Sequence, residues 1–150
     1  TSEELQSITA LKAKYPDPKA AIMPVMWMAQ KKWGWLSEDV MQEVARVMEL
    51  PYAHVLGVAS FYTMYFKKPM GKHHVQVCTN VSCMLRGGEA LYAHAKERLG
   101  IGHNQATADG KFSLEEVECM GACGGAPMIA INETFYENAS IEQLDALLDR

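Results

Sequence analysis

Several kinds of sequence feature are absent from this chain of 150 residues, and each absence excludes a class of function. The longest apolar run covers the ten residues 20–29 and is interrupted by Pro24, whereas a membrane-spanning helix needs about 20 residues. No charged segment followed by an apolar stretch and a small-residue cleavage site is present, so we expect no secretory signal. The chain begins at Thr1 rather than Met, and a trimmed targeting segment is compatible with that start.

Basic surface patches and nucleotide-binding motifs are also absent. The formal net charge is −4 and no basic stripe is visible, which argues against nucleic acid as a partner. The chain has no G-x-G-x-x-G that opens a helix, no Walker loop, no H-E-x-x-H and no nucleophile elbow. We therefore predict no catalytic residue and no dinucleotide site in this chain.

The four cysteines that are present form two close pairs, Cys78-x4-Cys83 and Cys119-x3-Cys123. A reducing compartment, the default without a secretory signal, favours metal binding or redox chemistry over structural disulfides. Four thiolates can hold a [2Fe–2S] cluster, and a Cys-x4-Cys pair is also the first part of the plant-type ferredoxin pattern. Structural zinc sites usually use two-residue knuckles or a Cys/His mixture, and thioredoxin-like exchange enzymes use Cys-x2-Cys. The spacing thus favours iron–sulfur, while a structural zinc module and a thiol–disulfide enzyme remain the alternatives.

The first 66 residues are predicted to be helical. Helices are expected over 1–14, from Pro18 with Asp17 as the cap, from Ser37 to Pro51, and over 52–59. Pro24 is expected to bend or delay the second helix. The expected buried faces of the second and third helices comprise Ile22, Val25, Met26, Ala29, Trp33, Met41, Val44, Val47 and Met48. Residues 67–72 are interpreted as a connector to a second domain.

From residue 73 onward the pattern predicts an α/β unit of order β-α-β-β-β-α. Strands are expected over 74–78 and 112–119, with a helix over 84–99 between them and a hairpin over 128–137 that turns at Asn132. A last helix is capped by Ser140, and its inner face is predicted to be Ile141, Leu144, Leu147 and Leu148. The crossover should place the first two strands parallel, so that both end at the same edge of the sheet.

Each of these parallel strands is expected to end at a cysteine, Cys78 or Cys119. Ligands of open α/β sheets bind at the carboxyl ends of the strands, and Cys83 is expected at the positive end of the following helix. The loop 119–127 contains three glycines and two alanines, so its main chain can wrap closely around an anionic centre. The topology therefore predicts that both cysteine pairs meet at one site.

Other ionisable residues of the chain are interpreted as structural. Two His ligands would be needed for a Rieske centre, but the lone histidines are more typical of surface or core positions. Three acids near the second pair are expected to be solvated strand residues. The histidines are His54, His73, His74, His94 and His103, and the acids are Glu115, Glu116 and Glu118.

These motifs resemble a known family, the thioredoxin-like [2Fe–2S] subunit of the NADH-oxidising module of respiratory complex I. The resemblance covers nearly the whole chain and is most specific at Glu118-Cys119-Met120-Gly121-Ala122-Cys123. It also includes Gln30, Gly34, Trp35, the segment 55–62, Val77, Cys78, Cys83, Ala126, Pro127 and Asn132. Leu is common in the family at the position of Met120.

The resemblance implies a small helical region, residues 1–71, followed by a thioredoxin-like domain, residues 72–150. It also implies one [2Fe–2S] cluster bound by Cys78, Cys83, Cys119 and Cys123. The implied partners are a larger flavoprotein subunit with FMN and NADH, and a neighbouring iron–sulfur subunit. Single electrons would pass between cluster and flavin, in a peripheral arm on the cytoplasmic side of a bacterial inner membrane or in the mitochondrial matrix. Similar subunits are also part of NAD-dependent formate dehydrogenases and hydrogenases.

Overall fold

A computed structural model describes residues 1–149 of the chain. The described residues separate into two compact units, Thr1–Pro69 and a second unit that begins at Met70. The first is helical and the second contains a sheet. Among the residues described, no helix has the length and apolar character required to cross a bilayer.

Four helices form the first unit, and polar side chains cap two of them. They are α1 (Ser2–Lys12), α2 (Ile22–Trp33), α3 (Glu38–Met48) and α4 (Tyr52–Phe61). Thr1 caps α1 in a reciprocal capping box with Glu4, and the Ser37 hydroxyl accepts a hydrogen bond from the Val40 amide of α3. Asp17 caps the 3-10 turn Pro18–Ala21, which leads directly into α2.

The α-helix of the second segment begins at Ile22, after the 3-10 turn Pro18–Ala21, so its start is delayed as expected. Pro24 occupies the third helical position, where the amide has no partner within the helix. The structure corrects two other expectations about these helices. Helix α3 ends at Met48 since Glu49 adopts a left-handed conformation (φ 58°), before Pro51 is reached. Helix α4 extends to Phe61, two residues beyond the predicted end.

Most of the predicted apolar faces form the core of the first unit. Trp33 is exposed and Val47 is half-buried, so these two predicted core positions were wrong. Gln30 takes a buried position instead. Its side-chain Nε2 donates to the Met64 carbonyl (2.8 Å), and its Oε1 accepts from the Phe66 backbone amide (2.7 Å). The buried residues are Ala21, Ile22, Val25, Met26, Ala29, Leu36, Met41, Val44, Ala45, Met48, Val55, Ala59 and Tyr65.

The second unit is built on a five-stranded mixed sheet. Its strands are β1 (His73–Cys78), β2 (Gln105–Ala106), β3 (Phe112–Val117), β4 (Ile129–Ile131) and β5 (Thr134–Tyr136), in the order β2-β3-β1-β4-β5. β1 runs parallel to β3, which confirms the predicted crossover, and β4–β5 is the predicted hairpin. The α/β fold class is confirmed.

Helices of this unit are α5 (Val81–Leu85), α6 (Gly88–Leu99) and α7 (Ile141–Leu148). The single helix predicted over 84–99 is wrong, because Gly87 adopts a left-handed conformation (φ 95°) and separates α5 from α6. The short strand β2 was not predicted, and β3 ends at Val117 rather than at residue 119.

Alternating residues of β1 and β3 pack against the helices as the core of this unit. Ile141 is exposed, so its predicted place on the inner face of α7 was wrong, whereas Leu144, Leu147 and Leu148 are buried as expected. The buried core comprises Val75, Val77, Leu91, Ala95, Phe112, Leu114, Ile129, Ala139, Leu144 and Leu148.

Candidate iron–sulfur site

The first cysteine lies at the carboxyl end of β1, where backbone hydrogen bonds hold it against two neighbouring segments. Cys78 is paired with Val117 in the parallel ladder, and its amide donates to the Met128 carbonyl (3.1 Å). The next amide, of Thr79, donates to the Val117 carbonyl (3.0 Å). These bonds bring the end of β1 beside both the loop that follows β3 and the segment that precedes β4.

Cys83 lies within α5, which follows β1 after a short turn. The Asn80 side chain caps this helix by accepting from the Val81 amide. Cys83 is therefore in the middle of a five-residue helix and not at the start of a long one, which corrects the predicted placement. Its side chain is buried with that of Cys78 in one small apolar cluster that also contains Ala126 and Met128.

The second cysteine pair lies on the loop between β3 and β4. Cys119 and Cys123 are both exposed, and Cys123 begins the 3-10 turn Cys123–Gly125. The Gly121 amide donates a hydrogen bond to the Cys119 sulfur (3.3 Å). Gly121 has φ 74°, a conformation that L side chains rarely adopt, so glycine is needed for this wrap around the sulfur.

The Cys83 thiol lies near two other cysteine sulfurs. Burial raises the pKa of the Cys83 thiol, and a hydrogen bond with Cys78 and the nearby Cys78 and Cys123 sulfurs raise it further. A backbone hydrogen bond from Met128 partly offsets these effects. Thiolates at this site would therefore repel one another unless a cation lay between them.

The structure brings Cys78 and Cys83 together and places Cys123 near Cys83, while Cys119 lies on the exposed part of its loop. All four are free thiols. Within residues 1–149, no three Cys, His, Asp or Glu side chains are arranged to hold a single metal ion. The convergence of both pairs on one centre remains a prediction.

The donor set nevertheless fits a two-iron cluster. Four thiolates bind such a cluster in pairs, two to each iron, so the ligands need not surround one ion. With iron bound, the cysteine side chains would be thiolates, and the positive charge of the metal would offset the repulsion between them. The Gly121 amide is a donor of the kind that stabilises charge on a cluster-bound sulfur.

One buried polar network near this site contradicts the expectation that Glu115 is solvated. Glu115 is buried, and its carboxylate accepts from His74 Nε2 (2.9 Å) and Gln76 Nε2 (2.8 Å). His74 is buried too, and its Nδ1 lies 2.9 Å from the Ser113 hydroxyl. His74 thus has the core role expected of it, and the expectation of solvent exposure holds for Glu116 and Glu118.

The period-2 alternation of β1 and β3 could have revealed this network. His74 and Gln76 share one face of β1, while Ser113 and Glu115 are their cross-strand partners on β3. Four polar residues in register on one face indicate a paired polar layer, because a buried carboxylate needs donors.

Comparison with known proteins gives a consistent family assignment. The family profile described as thioredoxin-like [2Fe-2S] ferredoxin matches residues 8–150. The second E-type subunit of NADH-quinone oxidoreductase from Rhizobium meliloti is 43% identical over 144 residues, covering 96% of this chain and 86% of the relative. The E-type subunit of NADH-quinone oxidoreductase from Rickettsia bellii is 44% identical over 140 residues, covering 91% of this chain and 84% of the relative.

A solved NAD+-reducing [NiFe]-hydrogenase chain has the same fold over 83% of this chain, with a TM-score of 0.71 and 23% identity. The match spans only 22% of that hydrogenase chain, so the likeness concerns one part of it. The predicted [2Fe–2S] cofactor is the cofactor of the matched family. From the profile match and the two relatives, the chain belongs to the thioredoxin-like [2Fe–2S] ferredoxin family, together with the E-type subunits of NADH-quinone oxidoreductases.

Proposed function

We propose that this chain is the electron-transfer subunit of an NADH:quinone oxidoreductase. It binds one [2Fe–2S] cluster and exchanges single electrons with FMN on a partner flavoprotein subunit, which also binds NADH. The observation that carries the proposal is identity of 43–44% with E-type subunits over more than nine-tenths of the chain, with four free thiols available.

Cys78, Cys83, Cys119 and Cys123 are the proposed ligands. When bound, the cluster supplies a site that gains or loses one electron at a time. Two of these ligands are buried and two are exposed: Cys78 and Cys83 are shielded from water, while Cys119 and Cys123 are accessible to it. An electron carrier needs this asymmetry, because its centre must be shielded from water and still lie near a partner's cofactor.

The proposed organisation of the chain has two parts. Residues 1–71 are a helical region and residues 72–150 hold the cluster. The chain would be part of a peripheral arm on the cytoplasmic side of a bacterial inner membrane or in the mitochondrial matrix, with a second iron–sulfur subunit as a neighbour.

Elemental analysis and spectroscopy test this proposal directly. Anaerobically purified protein should contain about two iron and two acid-labile sulfide per chain, and its reduced form should give the EPR signal of a [2Fe–2S] centre. Cys119→Ala should abolish the visible iron–sulfur absorption while the helical unit stays folded by circular dichroism. Zinc in place of iron, or colour that survives Cys119→Ala, would contradict the cofactor or its ligands.

The alternative is that the chain is a subunit of an NAD-dependent hydrogenase or formate dehydrogenase. The fold match to the hydrogenase chain is the observation that favours this alternative. That match shows only the fold, whereas the E-type subunits are similar in sequence. Identification of the subunits that co-purify with the chain separates the two: a quinone-reducing complex supports the main proposal, and a hydrogenase or formate dehydrogenase subunit overturns it.

A further inference from the structure

The segment that follows β5 holds Glu137 beside the second cysteine loop. The residue before Glu137 is the last residue of β5, so the ladder of the β4–β5 hairpin fixes the chain on that side. On the other side, the Asn138 amide donates to the Gly125 carbonyl (2.7 Å), and the Ala139 amide donates to the Pro127 carbonyl (3.0 Å). The backbone at Glu137 is therefore fixed against the end of the loop by hydrogen bonds on both sides.

The Glu137 side chain occupies the space that a side chain at Gly125 would need. A Cβ at Gly125 would be 2.5 Å from Glu137 Cδ and 2.6 Å from its Cγ, and closer still to its Oε2. Gly125 is buried and is the last residue of the 3-10 turn that begins at Cys123. Because such a turn rises about 2 Å per residue, Gly125 lies about 4 Å along the turn from this proposed ligand.

The charge of this carboxyl group is not neutralised by a neighbouring side chain. Within residues 1–149, no Lys, Arg or His forms an ion pair with Glu137. Glu137 is exposed, and an exposed carboxyl group is ionised at neutral pH. A [2Fe–2S] core with four thiolates is itself anionic, and reduction adds one more negative charge. A carboxylate fixed beside the loop therefore disfavours reduction.

We propose that Glu137 lowers the reduction potential of the cluster through the negative charge that it holds against Gly125. The inference rests on the proposed function, because it requires a cluster bound by this loop, and it names a residue that adjusts the electron exchange. The potentials of iron–sulfur centres depend on nearby charge and on hydrogen bonds to the sulfurs. The Gly121 amide, which donates to the Cys119 sulfur, acts in the opposite direction.

A redox titration of the full, cluster-loaded chain, followed by EPR, tests the inference. Glu137→Gln removes the charge with little change in shape. At a fixed electrode potential it should raise the ratio of reduced to oxidised cluster about two- to fivefold, the range for an interaction with an exposed charge. Glu137→Lys should shift the potential about twice as far in the same direction, because it also adds a positive charge. Glu137→Asp keeps the charge and should retain most of the parent potential, whereas a side chain that only fills space would respond to Asp as strongly as to Gln.

Glu97→Gln is the matched control, because it removes the same charge from another exposed position of the second unit. At a rise of about 1.5 Å per residue, Glu97 lies about 13 Å along α6 from Gly88, the residue beside the Cys78 and Cys83 carbonyls. This distance exceeds the Debye length of about 10 Å in 0.1 M salt, so the potential should not change. A shift as large as that in Glu137→Gln would contradict a local effect.

Gly125→Ala tests the position of the carboxylate without changing any charge. The backbone at Gly125 does not have a positive φ, and the added methyl group should displace the flexible Glu137 side chain from the turn and raise the potential. The same substitution should have little further effect in Glu137→Gln, and additive shifts would contradict the assigned position.

Two other results separate this inference from the proposed function. An unchanged potential in both Glu137→Gln and Glu137→Lys, with iron and sulfide at the parent level, would overturn the inference and leave the proposed function standing. A parent chain that contains no iron and sulfide after anaerobic purification would instead overturn the proposed function itself.

Discussion

The carboxyl group of Glu115 is buried between two hydrogen-bond donors, the imidazole of His74 and the amide of Gln76. Because an ionised carboxylate only accepts hydrogen bonds, His74 Nε2 must carry a proton. Burial acts to raise the pKa of Glu115, but the hydrogen bonds from His74 and Gln76 outweigh it and hold the pKa below the usual range. A lowered pKa in the folded state means that Glu115 stabilises the fold when it is ionised.

The sign of this linkage predicts an acid-sensitive contribution to stability. It is fully present above the pKa of an unfolded Glu, about 4.3, and is lost as the pH falls through the lower folded value. Glu115→Gln should reduce the free energy of unfolding by about 1–3 kcal/mol near neutral pH, and the difference from the parent should shrink at acidic pH. Urea titrations across that range measure both effects. Glu116→Gln, an exposed neighbour, is the control, and an equal loss there would contradict the role of the buried network.

Gly88 lies where the backbone of the first cysteine loop comes very close. A Cβ at this position would be 2.5 Å from the Cys78 carbonyl oxygen and 2.9 Å from that of Cys83. Both contacts involve backbone atoms, which cannot rotate away. Only glycine fits here without moving a proposed ligand.

Gly88→Ala should therefore destabilise the protein by about 1–3 kcal/mol and reduce the amount of cluster bound per chain. Gly124→Ala is the matched control in the second cysteine loop, because a Cβ there meets no atom within 4 Å and the backbone does not have a positive φ. Thermal unfolding and iron content are the measurements. Full cluster loading in Gly88→Ala would show that the close approach is not needed.

At the scale of elements, the last helix depends on the residue that caps it and on contacts with the neighbouring helix. The Ser140 hydroxyl accepts from the Gln143 amide, which satisfies one free donor at the start of α7. His94 of α6 contacts Asp145 of α7 through Nε2 (2.8 Å), and this hydrogen bond holds the pKa of Asp145 below its usual value. Polar contacts thus add to the apolar packing of α7.

Ser140→Ala should lower the free energy of unfolding by about 1 kcal/mol, since it removes the cap and leaves the Gln143 amide without its side-chain acceptor. Chemical denaturation of the parent and the variant measures this change. Ser140→Asp should restore most of the stability, because Asp is an equally good capping residue. A loss as large in Ser140→Asp as in Ser140→Ala would show that the hydroxyl acts in another way.

At the scale of the whole molecule, the chain carries a candidate iron–sulfur site, and its sequence contains neither a G-x-G-x-x-G that opens a helix nor a Walker loop. We expect the isolated, cluster-loaded chain to show no NADH oxidation with an artificial electron acceptor. Addition of the flavoprotein subunit should restore the activity, and absorbance at the NADH band follows it. NADH oxidation by the isolated chain would contradict the division of roles between the two subunits.

The helices and strands that the pattern predicted well are those whose ends are marked by local chemistry. Asp17, Ser37 and Ser140 each cap the element predicted to follow them, and Gly100 ends α6 in a left-handed conformation (φ 65°). The break between α5 and α6 was missed because a glycine pair can lie inside a helix or interrupt it. The structure shows the interruption at Gly87 (φ 95°), next to the close approach of Gly88 to the Cys78 and Cys83 carbonyls.

The sequence by itself determined the composition of the candidate site, because the spacing of the cysteines and the small residues around them are local properties of the chain. It also determined the parallel pairing of β1 and β3, since a strand–helix–strand order permits few other arrangements. The tertiary structure decided which thiols are buried and which face water, and it decided that Glu115 lies inside. Burial depends on which surfaces pack together across distant segments, and no single segment of sequence contains that information.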